Sequence, residues 1–128
     1  MSYDIYMREP ILDNPIKLNK PHYFKGGTHS LGGTNELTLN ITYNYYKFYT
    51  ETIDSEKGIR WIYGKTGEEV LPLLEAAAGV LGVKQSDNYW EATPGNAGHA
   101  LLGLIAFCKL RPDGIFEGDW WNIWGRLN

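Results

Sequence analysis

The stretch from Thr93 to Leu110 limits the fold of this chain more than any other. Thr93-Pro94 is a helix start, with Thr as N-cap and Pro at the first helical position, where its missing N–H is not needed. Arg111-Pro112-Asp113-Gly114 is a stop. Between them apolar residues cover nearly the whole circumference, which a water-facing helix does not do. The sequence therefore predicts a central buried helix over 93–110, around which the rest of the chain must pack. Gly95, Gly98 and Gly103 each cost roughly 1 kcal/mol relative to Ala inside such a helix. A neighbouring backbone or a ligand is expected to lie close against them.

A second helix opens at Gly64-Lys65-Thr66-Gly67-Glu68-Glu69, where Thr66 and Glu69 have the spacing of a capping box and the two acids suit the positive helix end. It runs to Leu81 and ends at Gly82, with Pro72 expected to kink its early turns. In the N-terminal half, Tyr3, Ile5 and Met7 alternate with Asp4 and Tyr6, a strand signal. Turn residues Asp13-Asn14-Pro15 and a short strand at Ile16-Lys17-Leu18 predict a hairpin over 3–19. The clearest strand places Leu37, Leu39, Ile41, Tyr43 and Tyr45 on one face and Thr38, Asn40, Thr42 and Asn44 on the other. Tyr45, Phe48, Tyr49 and Thr52 then fit a helical stripe over 45–53, with an extended strand as the competing reading. The expected class is α+β, a small antiparallel sheet from the N-terminal half packed against two or three helices from the C-terminal half. A chain of 128 residues suits one domain, 1–128, with 119–128 as a short Trp-rich helical tail.

Charge excludes some functions. Twelve basic and fifteen acidic residues leave a net charge of −3 with no Lys/Arg block, so nucleic acid is not an expected partner. The apolar run Ala97–Leu110 is too short for a bilayer and contains His99 and Lys109, so no membrane span is expected. Met1 to Met7 lacks the pattern of a signal peptide. The single cysteine, Cys108, lies in an apolar run and reads as a buried thiol in a reducing, cytoplasmic compartment.

Several segments suggest binding. Gly26-Gly27-Thr28 and Gly32-Gly33-Thr34 repeat a tripeptide six residues apart, yet match neither the P-loop nor the dinucleotide fingerprint. They form either a tight connection or a backbone cradle for an anion. The Thr/Asn strand face is polar and uncharged; it either pairs across strands or hydrogen-bonds a ligand. Trp90-Glu91 precedes the helix at Thr93. Glu91 is either a solvated loop acid or a carboxyl whose pKa the indole raises, beside helix-start amides near Asn96. Gly26, Gly27, Thr28, Gly32, Gly33, Asn40, Asn44, Trp90, Glu91, Asn96 and His99 are the candidate ligand-binding residues. The three histidines, His22, His29 and His99, lack metal-ligand spacing, so neither a metal nor a cofactor is expected. In the tail, Trp120, Ile123, Trp124 and Leu127 share a helical face that either docks on the core or, through Trp120 and Trp124, anchors a partner.

Leu39-Asn40-Ile41-Thr42-Tyr43-Asn44-Tyr45, Tyr63-Gly64-Lys65-Thr66-Gly67-Glu68, Tyr89-Trp90-Glu91-Ala92-Thr93-Pro94-Gly95-Asn96-Ala97 and Arg111-Pro112-Asp113-Gly114 with Glu117-Gly118-Asp119 resemble an uncharacterised family. Its members are small proteins carried by bacteriophages, prophages and plasmids. The resemblance covers residues 3–119 and implies a mobile-element origin and a bacterial cytoplasm. It assigns no catalytic residue. The resulting expectation is a non-enzymatic accessory protein that binds a small polar ligand, such as a nucleotide, or a host protein. A small enzyme using Glu91 or His99 as acid or base, and an assembly protein associating through its Trp face, are the alternatives.

Overall fold

The computed structural model describes residues 1–28 and 32–119. In chain order it contains β1 (Ser2–Arg8), β2 (Lys17–His22), β3 (Thr34–Glu36), β4 (Thr38–Thr42), α1 (Tyr46–Thr52), α2 (Gly67–Leu81), α3 (Pro94–Leu110) and β5 (Ile115–Gly118). Turns of 3-10 helix occupy Tyr43–Tyr45 and Gly58–Ile62. The class is α+β, as the patterning predicts. One antiparallel sheet has the order β4-β1-β5, and β2 and β3 form a separate two-stranded ribbon. No helix among the described residues is long and apolar enough to cross a membrane.

The alternation holds in β1 and through β4, but the strand expected to reach Tyr45 ends at Thr42, whose side chain caps the 3-10 turn Tyr43–Tyr45 by accepting from Asn44 N. Tyr3, Ile5 and Met7 are buried and sit opposite Ile41, Leu39 and, on the other edge, Phe116. These residues form one apolar core with Val70, Leu74 and Ala77 of α2 and with Leu101, Leu104 and Phe107 of α3. Helix α1 covers 46–52, which resolves the ambiguous segment in favour of helix. Buried Tyr49 anchors it by donating its hydroxyl to Ala97 O at 2.9 Å.

Two elements depart from the sequence reading. The hairpin over 3–19 survives only as a turn and an isolated bridge between Arg8 and Pro15. Beyond Ile16 the chain leaves β1 for the ribbon, because Leu37 takes its place. Met7 N donates to Leu37 O, Leu37 N to Ile16 O and Ile16 N to Met7 O, all at 2.8–2.9 Å. The sheet also recruits β5 from the C-terminal side, on the edge of β1 opposite to the one that Ile16 and Leu37 share.

Helix ends follow their caps. Thr66 and Glu69 form a full capping box on α2, and Thr93 caps α3 by accepting from Asn96 N. The glycines of α3 permit contact with backbone. A Cβ on Gly95 would run into Lys84 O, one on Gly98 into Gly82 O, and one on Gly103 into Leu39 and Phe24. The sequence expectation of close approach holds, and the approaching groups are protein.

Arg60 ties the C-terminal strand down. Its guanidinium is buried, lies 4.7 Å from the Tyr3 ring centre and 5.4 Å from that of Tyr43, and donates to Asp119 O and Tyr43 Oη. The Asp119 carboxylate accepts from Asp4 N at 2.6 Å and Tyr43 Oη at 3.1 Å. One cation set against two touching rings, and paired with one acid, joins three parts of the chain.

Two expectations follow for stability. Gly98→Ala gains helix propensity but drives a methyl into a carbonyl that belongs to backbone, so it should cost about 1–3 kcal/mol in urea unfolding. Gly79→Ala, in α2 with nothing within 4 Å of the added carbon, should stabilise by about 0.5–1 kcal/mol. Burial also pushes the Cys108 thiol from 9.0, and the Tyr3 and Tyr45 phenols from 10.0, up to about 12. Buried Tyr49 is raised for the same reason. In alkali the unfolded chain loses these protons first, so it binds fewer protons than the folded state. Stability is therefore intact below about pH 9 and should fall as pH rises toward 12. Urea midpoints taken across that window check the slope, and Cys108→Ala should remove the part that begins near pH 9.

Candidate functional site

The candidate residues fall into three neighbouring places. The first is set by the glycine-rich segment, which lies along the free edge of β4. Gly26 forms a parallel bridge to Ile41, accepts from Thr42 N at 2.8 Å and is buried. A side chain at Gly26 would strike Asn40 O and Ile41. One at Gly27, where φ is +80°, would strike Tyr45 and Thr42. These two glycines are needed for strand contact, which accounts for them without a ligand.

Beyond them the segment opens into a cleft of about 270 Å³, lined by His22, Phe24, Lys25, Thr28, Gly32, Gly33, Thr34, Thr38, Leu39 and Asn40. This cleft brings together Thr28, Gly32, Gly33 and Asn40 from the sequence reading. Thr28 donates to Asn40 O at 3.2 Å, and the Asn40 amide group donates to Tyr3 O and to the Asp4 carboxylate. That leaves the Asn40 side-chain oxygen, the Thr38 hydroxyl and the Lys25 ammonium without a bond among the described residues. No carboxylate lines the cleft, although the chain as a whole is acidic. His22 is committed to backbone: its Nε2 meets Glu36 O at 2.7 Å, and its Nδ1 accepts from Phe24 N at 3.4 Å. A ring nitrogen facing a carbonyl must carry the proton, so His22 is the Nε2–H tautomer and fixes the course of the chain at Phe24.

The second place contains His99, across the Phe24-Lys25 segment. A cleft of about 240 Å³ is lined by Tyr23, Phe24, Lys25, Gln85, His99, Leu102 and Gly103. Its walls are aromatic and aliphatic: Tyr23 is 66% and Phe24 40% exposed. The Phe24 ring packs 6.1 Å from Phe107, and the His22 ring 5.1 Å, which seats this strand segment on α3. His99 Nδ1 is buried with no hydrogen-bond partner among the described residues.

The third place is the loop before α3, and it is internally bonded. Asn96 is 2% exposed. Its Oδ1 accepts from Ser86 N at 2.9 Å, and its amide donates to Ser86 Oγ, Asn88 O and Glu91 O at 3.0–3.1 Å. Asn96 therefore holds the 86–91 loop; it has no capacity left for a ligand. Asn44 donates to Trp90 O at 2.9 Å, and Tyr45 Oη donates to Tyr89 O, fixing the same loop to the end of β4. Glu91 is exposed, and Asn88 donates to its carboxylate at 2.6 Å. Neither Trp90 nor Glu91 lines either cleft.

Thus Asn40 and the second Gly-Gly pair meet, His99 faces the adjoining cleft, and Asn44, Trp90, Glu91 and Asn96 stand apart as one loop-holding network. His29, Trp120 and Trp124 lie outside the described residues. Sequence reasoning passed over Tyr23, Phe24, Gln85 and Leu102. The available signal was an aromatic pair set between His22 and Lys25, directly before the glycine-rich segment. Among the described residues no group of three or more His, Cys, Asp or Glu side chains is arranged to hold a metal ion. Comparison with protein-family models, with curated proteins and with solved structures finds no match.

Asn96→Ala removes four hydrogen bonds and leaves the part-buried Ser86 N without its partner, while Asn88 O and Glu91 O still accept from Glu91 N and Thr93 N. It should cost about 1–3 kcal/mol in chemical denaturation. Amide exchange should show the loss concentrated at residues 86–91, with α2 and the sheet protected as before.

Proposed function

We propose that this protein is a non-enzymatic binder of a small polar ligand with an anionic group, held in the cleft between the glycine-rich segment and β4. The observation that supports it is the chemistry of the lining. One lysine, three threonines and one amide oxygen line a cleft that no carboxylate lines. Polar groups with unused bonding capacity in a concave site favour a ligand that supplies the missing partners. The mobile-element resemblance would place this binding in a bacterial cytoplasm, as an accessory function.

The acid–base alternative receives less support. His99 lines a cleft that contains no Asp or Glu, and Glu91 is solvated and bound to Asn88.

Thermal denaturation with inorganic phosphate, sugar phosphates and nucleotides tests the proposal. At least one of them, at about a hundredfold excess over its Kd, should raise Tm by about 5 °C or more. Lys25→Glu and Thr38→Val, both at the cleft surface, should abolish the shift while leaving the unliganded Tm nearly unchanged. A panel without any shift, or a shift that survives both substitutions, overturns the proposal.

A further inference from the structure

Resting on the polar-cleft reading, we infer that the ligand is bipartite, a planar nitrogen heterocycle joined to an anionic group, with the ring in the His99 cleft and the anion beside Lys25. Size is the first reason. At about 270 and about 240 Å³, each cleft falls below the roughly 300–1,000 Å³ of a site that encloses a whole small molecule. Each suits a fragment. The two share Phe24 and Lys25, so one molecule laid over that segment reaches both.

The second reason is the chemistry of the His99 cleft. Tyr23 and Phe24 offer exposed ring surface, and Leu102 adds an apolar wall. Such surfaces take a flat aromatic group by stacking, whatever its identity. His99 supplies a buried ring nitrogen without a partner. Gln85 adds an exposed amide whose donor and acceptor make no bond among the described residues. A purely apolar guest would cover the Gln85 amide without bonding it. A heterocycle with ring nitrogens and exocyclic groups meets both faces of that amide and lies against the His99 ring in the cleft wall. The polar cleft next door, with Lys25 and the Thr28, Thr38 and Asn40 groups, suits a phosphorylated sugar. Nucleotides combine these two parts.

Isothermal titration of the whole chain with the four nucleoside 5′-monophosphates, the matching nucleosides and ribose 5-phosphate separates the two compartments. At least one monophosphate should bind about tenfold or more tightly than ribose 5-phosphate, the increment expected of one stacked and hydrogen-bonded base. His99→Leu and, at an exposed position that does not endanger folding, Gln85→Ala should each remove most of that increment. Both should leave ribose 5-phosphate binding unchanged, whereas Lys25→Glu should weaken both ligands. If the monophosphates bind no better than ribose 5-phosphate, or if their advantage survives both His99→Leu and Gln85→Ala, the inference is overturned. Ribose 5-phosphate binding that depends on Lys25 would in that case leave the polar-cleft reading standing. Absence of binding by every compound overturns both.

Discussion

Three backbone hydrogen bonds in a closed ring, linking Met7, Leu37 and Ile16, decide how the N-terminal half is arranged. All three residues are buried, and a buried amide or carbonyl without a partner is costly. Each bond therefore holds the other two in place. The ring stops β2 from continuing beside β1 and turns it outward to pair with β3. That divergence leaves room between the ribbon and β4, and the glycine-rich segment and the polar cleft occupy it. Had the simple hairpin formed, β2 would have filled the edge of β1 that β4 uses, and the cleft would have lost the strand that forms its floor.

The opposite side of the molecule depends on how near α3 can sit to its neighbours. Gly95 and Gly98 let the connection after α2 lie directly on the helix, carbonyls of Lys84 and Gly82 first. Close packing of this kind increases the dispersion contact between surfaces that have little side chain to offer. Gly103 does the same for Phe24 and Leu39, which brings the aromatic pair at 23–24 onto the helix that carries His99. The helix propensity given up at these positions is returned as geometry: the two clefts sit back to back across a single segment.

The helices were legible because their signals are local. Thr66 with Glu69, and Thr93 with Pro94, announce helix starts within four residues. Strand partners were less so. Asp13-Asn14-Pro15 specifies a reversal of direction but not which strand then accepts the hydrogen bonds, and Ile115-Phe116-Glu117-Gly118 is too short for its alternation to stand out. Its strand character comes from the available edge of β1. The site was legible in part. Of the eleven candidate residues, Thr28, Gly32, Gly33 and Asn40 line one cleft, since a glycine-rich approach and an uncharged strand face are visible in the residues themselves. Asn96 was misread as a ligand group. Its partners are Ser86, Asn88 and Glu91, five to ten residues upstream, and no spacing rule marks an amide that organises a preceding loop.

Cys108 has a consequence of another kind. It is the only cysteine of the chain and 1% exposed, on the helix around which everything else is packed. A thiol so enclosed reacts with an external reagent only when the surrounding structure opens. Its modification rate therefore clocks excursions of the core, and the native chain carries a built-in reporter of its own breathing. A molecule that bridges the two clefts would slow that clock, although it never touches the sulfur.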